Sequence, residues 1–181
     1  MLEGSASLNQ WGENNFEKIV NVTKRVVNSW NRTLSRIGLV LYATTAELKI
    51  NFTNSAAERK AILESLPYPS GWTVSGNALN FVNQSLSQDI RPNARRVLVV
   101  FTDGTSTDAV ERYSKTLRDD LNMTIIVVAL GYWFDMKQVR HMASEPHSKH
   151  LLQVRFDDLD GLSWRIHEMI CEGNNIAFNN L

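Results

Sequence analysis

The sequence predicts a doubly wound α/β domain: a mostly parallel central sheet with one antiparallel edge strand and helices on both faces. Three observations carry that reading. Two uninterrupted apolar runs, Val97–Phe101 and Met123–Leu130, read as strands buried on both faces rather than as the alternating pattern of a half-solvated sheet. From Thr73 onward, strand and helix patterns alternate, which implies parallel crossovers. The length, 181 residues, suits one domain that removes roughly 70% of its unfolded surface from water.

Each element has its own local warrant. Phe16, Ile19, Val20, Val26, Val27, Trp30 and Leu34 recur at three-to-four spacing and predict a long amphipathic helix from Asn14 to Arg36. Ile37–Ala43 is apolar and β-rich, Glu47–Phe52 alternates, and the short link between them predicts an antiparallel hairpin whose second strand is a sheet edge. Asn54 or Ser55 caps a helix from Ala56 to Leu66 that Pro67 and Pro69 end. A helix over Asn77–Leu86 precedes the strand that ends at Asp103. Ser106 or Thr107 then caps a helix over Asp108–Asp119, whose first turn is acidic as the macrodipole favours. After the Met123–Leu130 strand come a short helix over Met136–Met142, a short strand over His150–Val154 and a last helix from Leu159 to Cys171.

Composition excludes several classes of function. Nineteen basic side chains face 19 acidic ones, so no net field draws the chain to nucleic acid or to an anionic membrane, and recognition must be local. No apolar run approaches the roughly 20 residues needed to span a bilayer. Cys171 is the single cysteine, which leaves no internal disulfide. Five sequons, at Asn21, Asn31, Asn51, Asn83 and Asn122, favour an extracellular setting. No phosphate-cradling glycine loop or nucleophile elbow is present. The run Phe101-Thr-Asp-Gly-Thr105 superficially resembles the loop of haloacid-dehalogenase-type phosphotransferases, but Phe101 stands where their nucleophilic aspartate would be. The chain is therefore not expected to be an enzyme.

Three stretches offer oxygen donors that an α/β sheet can bring to one edge: Glu3-Gly-Ser-Ala-Ser7, Thr73 with the following Val-Ser-Gly-Asn-Ala-Leu79, and Phe101-Thr-Asp103-Gly. In this order they resemble the von Willebrand factor type A domain, also called the integrin inserted-domain fold, over nearly the whole chain. The resemblance implies a metal-ion-dependent adhesion site (MIDAS). There Ser5 and Ser7 ligate through their hydroxyls, Thr73 directly or through water, and Glu3 and Asp103 hold bound waters or switch into the shell. The residue types suit Mg²⁺ on their own account, because a hard ion wants about six oxygens at roughly 2.1 Å and tolerates few carboxylates; Mn²⁺ or Ca²⁺ are alternatives. An incompletely neutralised ion would accept an acidic side chain from a protein ligand, and the resemblance points to an extracellular matrix protein such as collagen. The other reading is a structural matrix domain with a degenerate, metal-free site.

Two features depart from the family pattern. Glu3 stands where the family has Asp, which moves the carboxylate by about 1.5 Å in a shell that demands near-ideal geometry. Only Met1 and Leu2 precede the motif, so the first central strand is expected to be missing or truncated. That leaves an open slot between the strand beginning at Ile37 and the one ending at Asp103. Three explanations stand side by side: a piece of a longer chain, closure of the two flanking strands, or entry of Asn175–Asn179 as a substitute strand. The domain is placed at residues 1–173, with 174–181 as a tail or the start of a following segment. The resemblance also implies that Cys171 pairs with a cysteine before the first strand, which this sequence lacks. The four histidines have no ligand-like spacing and are assigned surface or capping roles. Trp30 and Trp164 read as core, Trp72 as core or as a rim residue beside Thr73, and Tyr132-Trp133-Phe134 as a rim patch on the same upper edge or, in preference, as a cover over the sheet's end.

Overall fold

A computed structural model describes residues 1–10, 12–30, 35–86 and 89–171. In chain order these form β1 (Leu2–Glu3), α1 (Asn15–Ser29), β2 (Leu39–Tyr42), β3 (Ala46–Ile50), α2 (Ala56–Glu64), α3 (Ser75–Leu86) and β4 (Arg96–Thr102). The second half adds α4 (Val110–Asp119), β5 (Met123–Leu130), α5 (Met136–Met142), α6 (His147–His150), β6 (Leu151–Val154) and α7 (Leu162–Cys171). The strands make one sheet in the order β3-β2-β1-β4-β5-β6, antiparallel only at the β2/β3 pair. This is the expected doubly wound arrangement, with the hairpin's second strand at the edge.

The apolar runs are buried on both faces for a reason visible in their alternation. Phe101, Val128 and Leu130 pack with Phe16, Ile19, Leu162 and Ile166 on the α1/α7 side. Val100, Val127 and Ala129 pack with Leu79, Val82, Leu117, Val139 and Met142 on the α3/α4/α5 side. Each fully buried aliphatic side chain of this kind contributes about 1.5–3 kcal/mol, so the β4/β5 centre is the rigid base on which the loops at its upper edge stand.

Several boundaries differ from the sequence reading. The first helix stops at Ser29, where Trp30 adopts an extended backbone and its ring lies 4.6 Å from that of His167; Leu34 is outside the described residues. The helix α4 begins at Val110, and neither Ser106 nor Thr107 caps it. Ser106 Oγ is engaged instead with Asp108 and with the Ser75 amide, and Asp108 caps α3, which starts two residues earlier than expected. The short α6 has no counterpart in the sequence reading. Trp164 is 63% exposed rather than core, because Leu162 and Ile166 form the buried stripe of α7 and Trp164 faces away from it. Of the two cap candidates, Asn54 and Ser55, it is Ser55 that caps α2, in a full capping box with Glu58.

The central slot is not empty. Leu2 pairs in parallel with Leu41 of β2 and with Phe101 of β4, so two residues hold the upper end of the sheet's middle. They can do so because Met1 and Leu2 bury apolar side chains on opposite faces. Below Met1, a cavity of about 890 Å³ lies between the two flanking strands. The Asn175–Asn179 substitute strand and the boundary at residue 173 fall outside the described residues.

Candidate metal centre

Three chain segments meet above the upper ends of β1 and β4. The short β1 delivers Glu3 at full burial, after which the Gly4 amide bonds the Tyr42 carbonyl and the Ala6 amide bonds the Gly71 carbonyl. Gly4 has to be glycine here, since a Cβ would stand 2.5 Å from Cδ of Pro69. These contacts turn Ser5 and Ser7 back over the sheet. Thr73 arrives from the loop before α3, with its carbonyl held by the Thr107 amide and hydroxyl, each at 3.0 Å. Asp103 follows β4 directly.

Their polar atoms converge on one carboxylate. Glu3 Oε1 accepts from Ser5 Oγ at 2.5 Å and from Thr73 Oγ1 at 2.9 Å, and Ser5 Oγ lies 2.8 Å from Ser7 Oγ. Glu3 Oε2 accepts from Thr102 Oγ1 at 2.6 Å, from the Asp103 amide at 3.2 Å and, more weakly, from the Tyr42 hydroxyl at 3.4 Å. Asp103 is itself buried, and its Oδ2 has no hydrogen-bond partner among the described residues. All five residues singled out in the sequence are thus brought together.

The electrostatics follow from two buried acids sharing one pocket. Burial, reinforced by the neighbouring Asp103 carboxylate and offset in part by the Ser5 and Thr102 hydroxyls, pushes the Glu3 carboxyl up to about 8. The Tyr42 phenol, buried beside Glu3, is raised well above its ordinary value. Without a counter-charge, Glu3 keeps its proton through much of the neutral range.

The donor set fits a small hard cation. Oxygens about 2.1 Å from a Mg²⁺ in an octahedral shell lie about 3.0 Å from one another, and the Ser7–Ser5–Glu3–Thr73 chain of oxygens is spaced close to that edge length. The partnerless Asp103 Oδ2 is a buried acceptor of the kind that calls for a cation or a bound water.

Residues that the sequence reading passed over complete the site. Tyr42 and Ser75 share a 3.2 Å hydrogen bond on its floor, the Tyr68 hydroxyl donates to the Ser5 carbonyl at 2.7 Å, and Asp108 fixes the start of α3. Thr102 lies within the Thr-Asp-Gly run, and its position at a strand end is the signal that could have found it. Tyr68 carries none. Around the site, Trp72 is 74%, Tyr132 68% and Trp133 71% exposed, so of the two readings offered for each, the exposures favour the rim for Trp72 and the rim patch over the cover for Tyr132 and Trp133. Only Phe134 turns inward, against Gly104, where Phe134 Cβ leaves no room for a side chain and the positive φ separately favours glycine.

Comparison with known proteins agrees with this geometry. The family model of the von Willebrand factor type A domain matches residues 1–163. Mouse vitrin is 28% identical over 94% of this chain and 26% of its own length, and mouse matrilin-2 is 29% identical over 95% and 19%. The rabbit collagen alpha-1(XII) chain is 37% identical over 58% of this chain. The chain thus spans about a quarter or less of these relatives. Among solved structures, proximal thread matrix protein 1 from the mussel byssus superposes with a TM-score of 0.83 at 17% identity, covering 94% of this chain and 46% of that one. Another structure of that protein, with a zinc-occupied MIDAS motif, superposes at 0.80 and 21% identity. At such identities the likeness speaks for the fold alone. The family match, covering most of the chain and all three motif-bearing segments, carries the assignment: this chain belongs to the von Willebrand factor type A domain family.

Proposed function

We propose that Glu3, Ser5, Ser7, Thr73 and Asp103 hold a divalent cation, Mg²⁺ by the hardness of the donors, and that the loaded site takes an acidic side chain of an extracellular matrix protein such as collagen. The observation that supports this most directly is the meeting of the Ser5 and Thr73 hydroxyls on one Glu3 oxygen, with Ser7 Oγ against Ser5 Oγ, beside the partnerless Asp103 Oδ2. The bound ion would supply an electrophilic position for the incoming carboxylate. The chain's own residues do the rest. Ser5, Ser7 and Thr73 offer neutral oxygens, which leave the ion's charge largely uncompensated. Thr102, Tyr42 and the Asp103 amide tie down Glu3 Oε2, so that Oε1 is the oxygen turned toward the hydroxyls. The sequon residues Asn21, Asn51 and Asn122 are exposed, and the relatives' names include matrix proteins, which supports an extracellular setting.

Magnesium titration followed by calorimetry and thermal melting tests the reading. At one hundred times Kd, Mg²⁺ should stabilise the domain by about 2.7 kcal/mol, a rise of roughly 5–10 °C for a chain of this size. Asp103→Ala should abolish both heat and shift. No response to millimolar Mg²⁺, Mn²⁺ or Ca²⁺ would favour the second reading, a structural matrix domain. One observation speaks for that alternative: Glu3 satisfies the same hydroxyls that an ion would use.

A further inference from the structure

Among the described residues, one sequon is folded around its own asparagine. Asn51, Phe52 and Thr53 follow β3 in a turn, where Asn51 Oδ1 accepts from the Thr53 amide at 2.9 Å, from the Thr53 hydroxyl at 2.6 Å and from the Asn54 amide at 3.1 Å. The Asn51 amide in turn donates to Asn54 Oδ1 at 2.8 Å. Phe52 packs against the core on the α3/α4/α5 side and pins the turn, while Asn51 and Thr53 are exposed. With Oδ1 held by three donors, Asn51 Nδ2, on the other arm of the planar amide, has no hydrogen-bond partner among the described residues.

The other sequons are built differently. Asn21 and Asn83 stand inside α1 and α3, where side chains two residues apart do not face each other, and the Thr23 hydroxyl is engaged by the Ile19 carbonyl at 2.9 Å. Thr124, two residues after Asn122, lies in β5 and makes no hydrogen bond to that asparagine among the described residues. Asn31 is outside the described residues.

Three hydrogen bonds into Oδ1 draw electron density toward the carbonyl oxygen and make an Nδ2 proton easier to lose, while Nδ2 itself stays open to an incoming carbon. The turn is local, its bonds spanning two or three residues, so it can form in the nascent chain before β3 pairs with β2. We propose that Asn51 is an N-glycosylation site. Nδ2 bonds the anomeric carbon of an oligosaccharide carried on a lipid pyrophosphate, the anomeric carbon–oxygen bond breaks, the lipid pyrophosphate leaves with the electron pair, and one Nδ2 proton passes to a base. This rests on the extracellular setting proposed for the chain and on no cation.

The position suits a permanent sugar. Ile50 pairs with Leu39 at the start of β2, so Asn51 lies at the lower end of the sheet, opposite the edge to which β4 delivers Asp103. The seven residues of β4 set these ends about 20 Å apart. Asn51 also follows the last residue of the edge strand β3, whose outer side pairs with no strand among the described residues. A bulky, hydrated glycan there obstructs the approach of another chain to that edge and leaves the metal centre open.

Glycopeptide mass spectrometry of the 181-residue chain, secreted from cultured animal cells behind a cleavable leader, tests the assignment. Asn51 should carry glycan in most molecules. Thr53→Ala should remove that glycan, and Thr53→Ser, which keeps a hydroxyl, should retain it in part. Asn51→Asp, which keeps the Oδ1 acceptor and so the turn, should lower the mass by one glycan without lowering Tm beyond the loss of the sugar itself. The proposal is overturned if Asn51 is unmodified in the secreted chain, whether or not other sequons are occupied, or if Thr53→Ala leaves its glycan in place. Should a Thr53 variant not be secreted, the unaltered chain and Asn51→Asp decide. Occupancy at Asn51 supports the proposal whatever a magnesium titration shows, and its absence overturns the proposal even where Mg²⁺ binds.

Discussion

Glu3 concentrates the chemistry of this domain in one side chain. Its folded-state carboxyl sits near 8 against an ordinary value of 4.5, so between those limits the ion-free domain holds a proton that the unfolded chain releases. The stability this provides is complete below about pH 4.5 and is lost as pH climbs through about 8. Magnesium exposes this linkage, because the ion competes with the Glu3 proton. The Mg²⁺-induced rise in Tm should increase from about pH 5 to about pH 8, and Glu3→Gln, which keeps an acceptor oxygen but no charge, should remove both the rise and its pH dependence. A pH-independent increment in paired melts with and without chelator would contradict Glu3's part in holding the ion.

At the level of the element, α3 illustrates what a sequence hides. Its start depends on Asp108, whose two oxygens accept from the Gly76 amide at 2.7 Å and the Asn77 amide at 2.6 Å, with Ser106 Oγ also bonded to Oδ1. Gly76 makes room for this, since a Cβ there would meet Asp108 Oδ2 at 2.8 Å. Asp108→Ala should cost about 1–2 kcal/mol and lower Tm by roughly 2–8 °C. It should also weaken Mg²⁺ binding, because the loop that carries Thr73 is pinned from the same side by Ser106 and Thr107; unchanged affinity in a calorimetric titration would show that loop to be independently rigid. The cap eludes sequence reading because donor and acceptor lie about 30 positions apart, beyond the window in which capping patterns are local. Features that depend on local signals are legible. The strands β4 and β5 follow from unbroken apolar runs, and α2 follows from its Asn54/Ser55 cap candidates and the prolines beyond its end. The meeting of Ser5, Thr73 and Asp103 follows from the family resemblance that their three stretches carry together, since Thr73 precedes a helix and ends no strand. The exposure of Trp164 and the end of α1 at Ser29 are not legible, since each depends on which neighbour occupies the facing surface.

On the scale of the molecule, the site is a polar well in an aromatic collar. Trp72 comes from the loop that also carries Thr73, and Trp133 from the turn after β5, whose Asp135 amide bonds the Gly104 carbonyl beside Asp103. Two large, exposed rings, one on the loop that carries Thr73 and one on a turn bonded to the loop that carries Asp103, are placed to contact whatever surrounds an incoming carboxylate. Because neither ring offers an oxygen to the well, cation binding and partner binding should separate by mutation. Trp72→Ala and Trp133→Ala should leave the Mg²⁺-induced melting shift within error while weakening Mg²⁺-dependent attachment to a collagen-coated surface by about tenfold each. Asp103→Ala should remove both. Attachment that survives Asp103→Ala or chelation would place the contact elsewhere on the domain, and attachment indifferent to both tryptophans would confine recognition to the well itself.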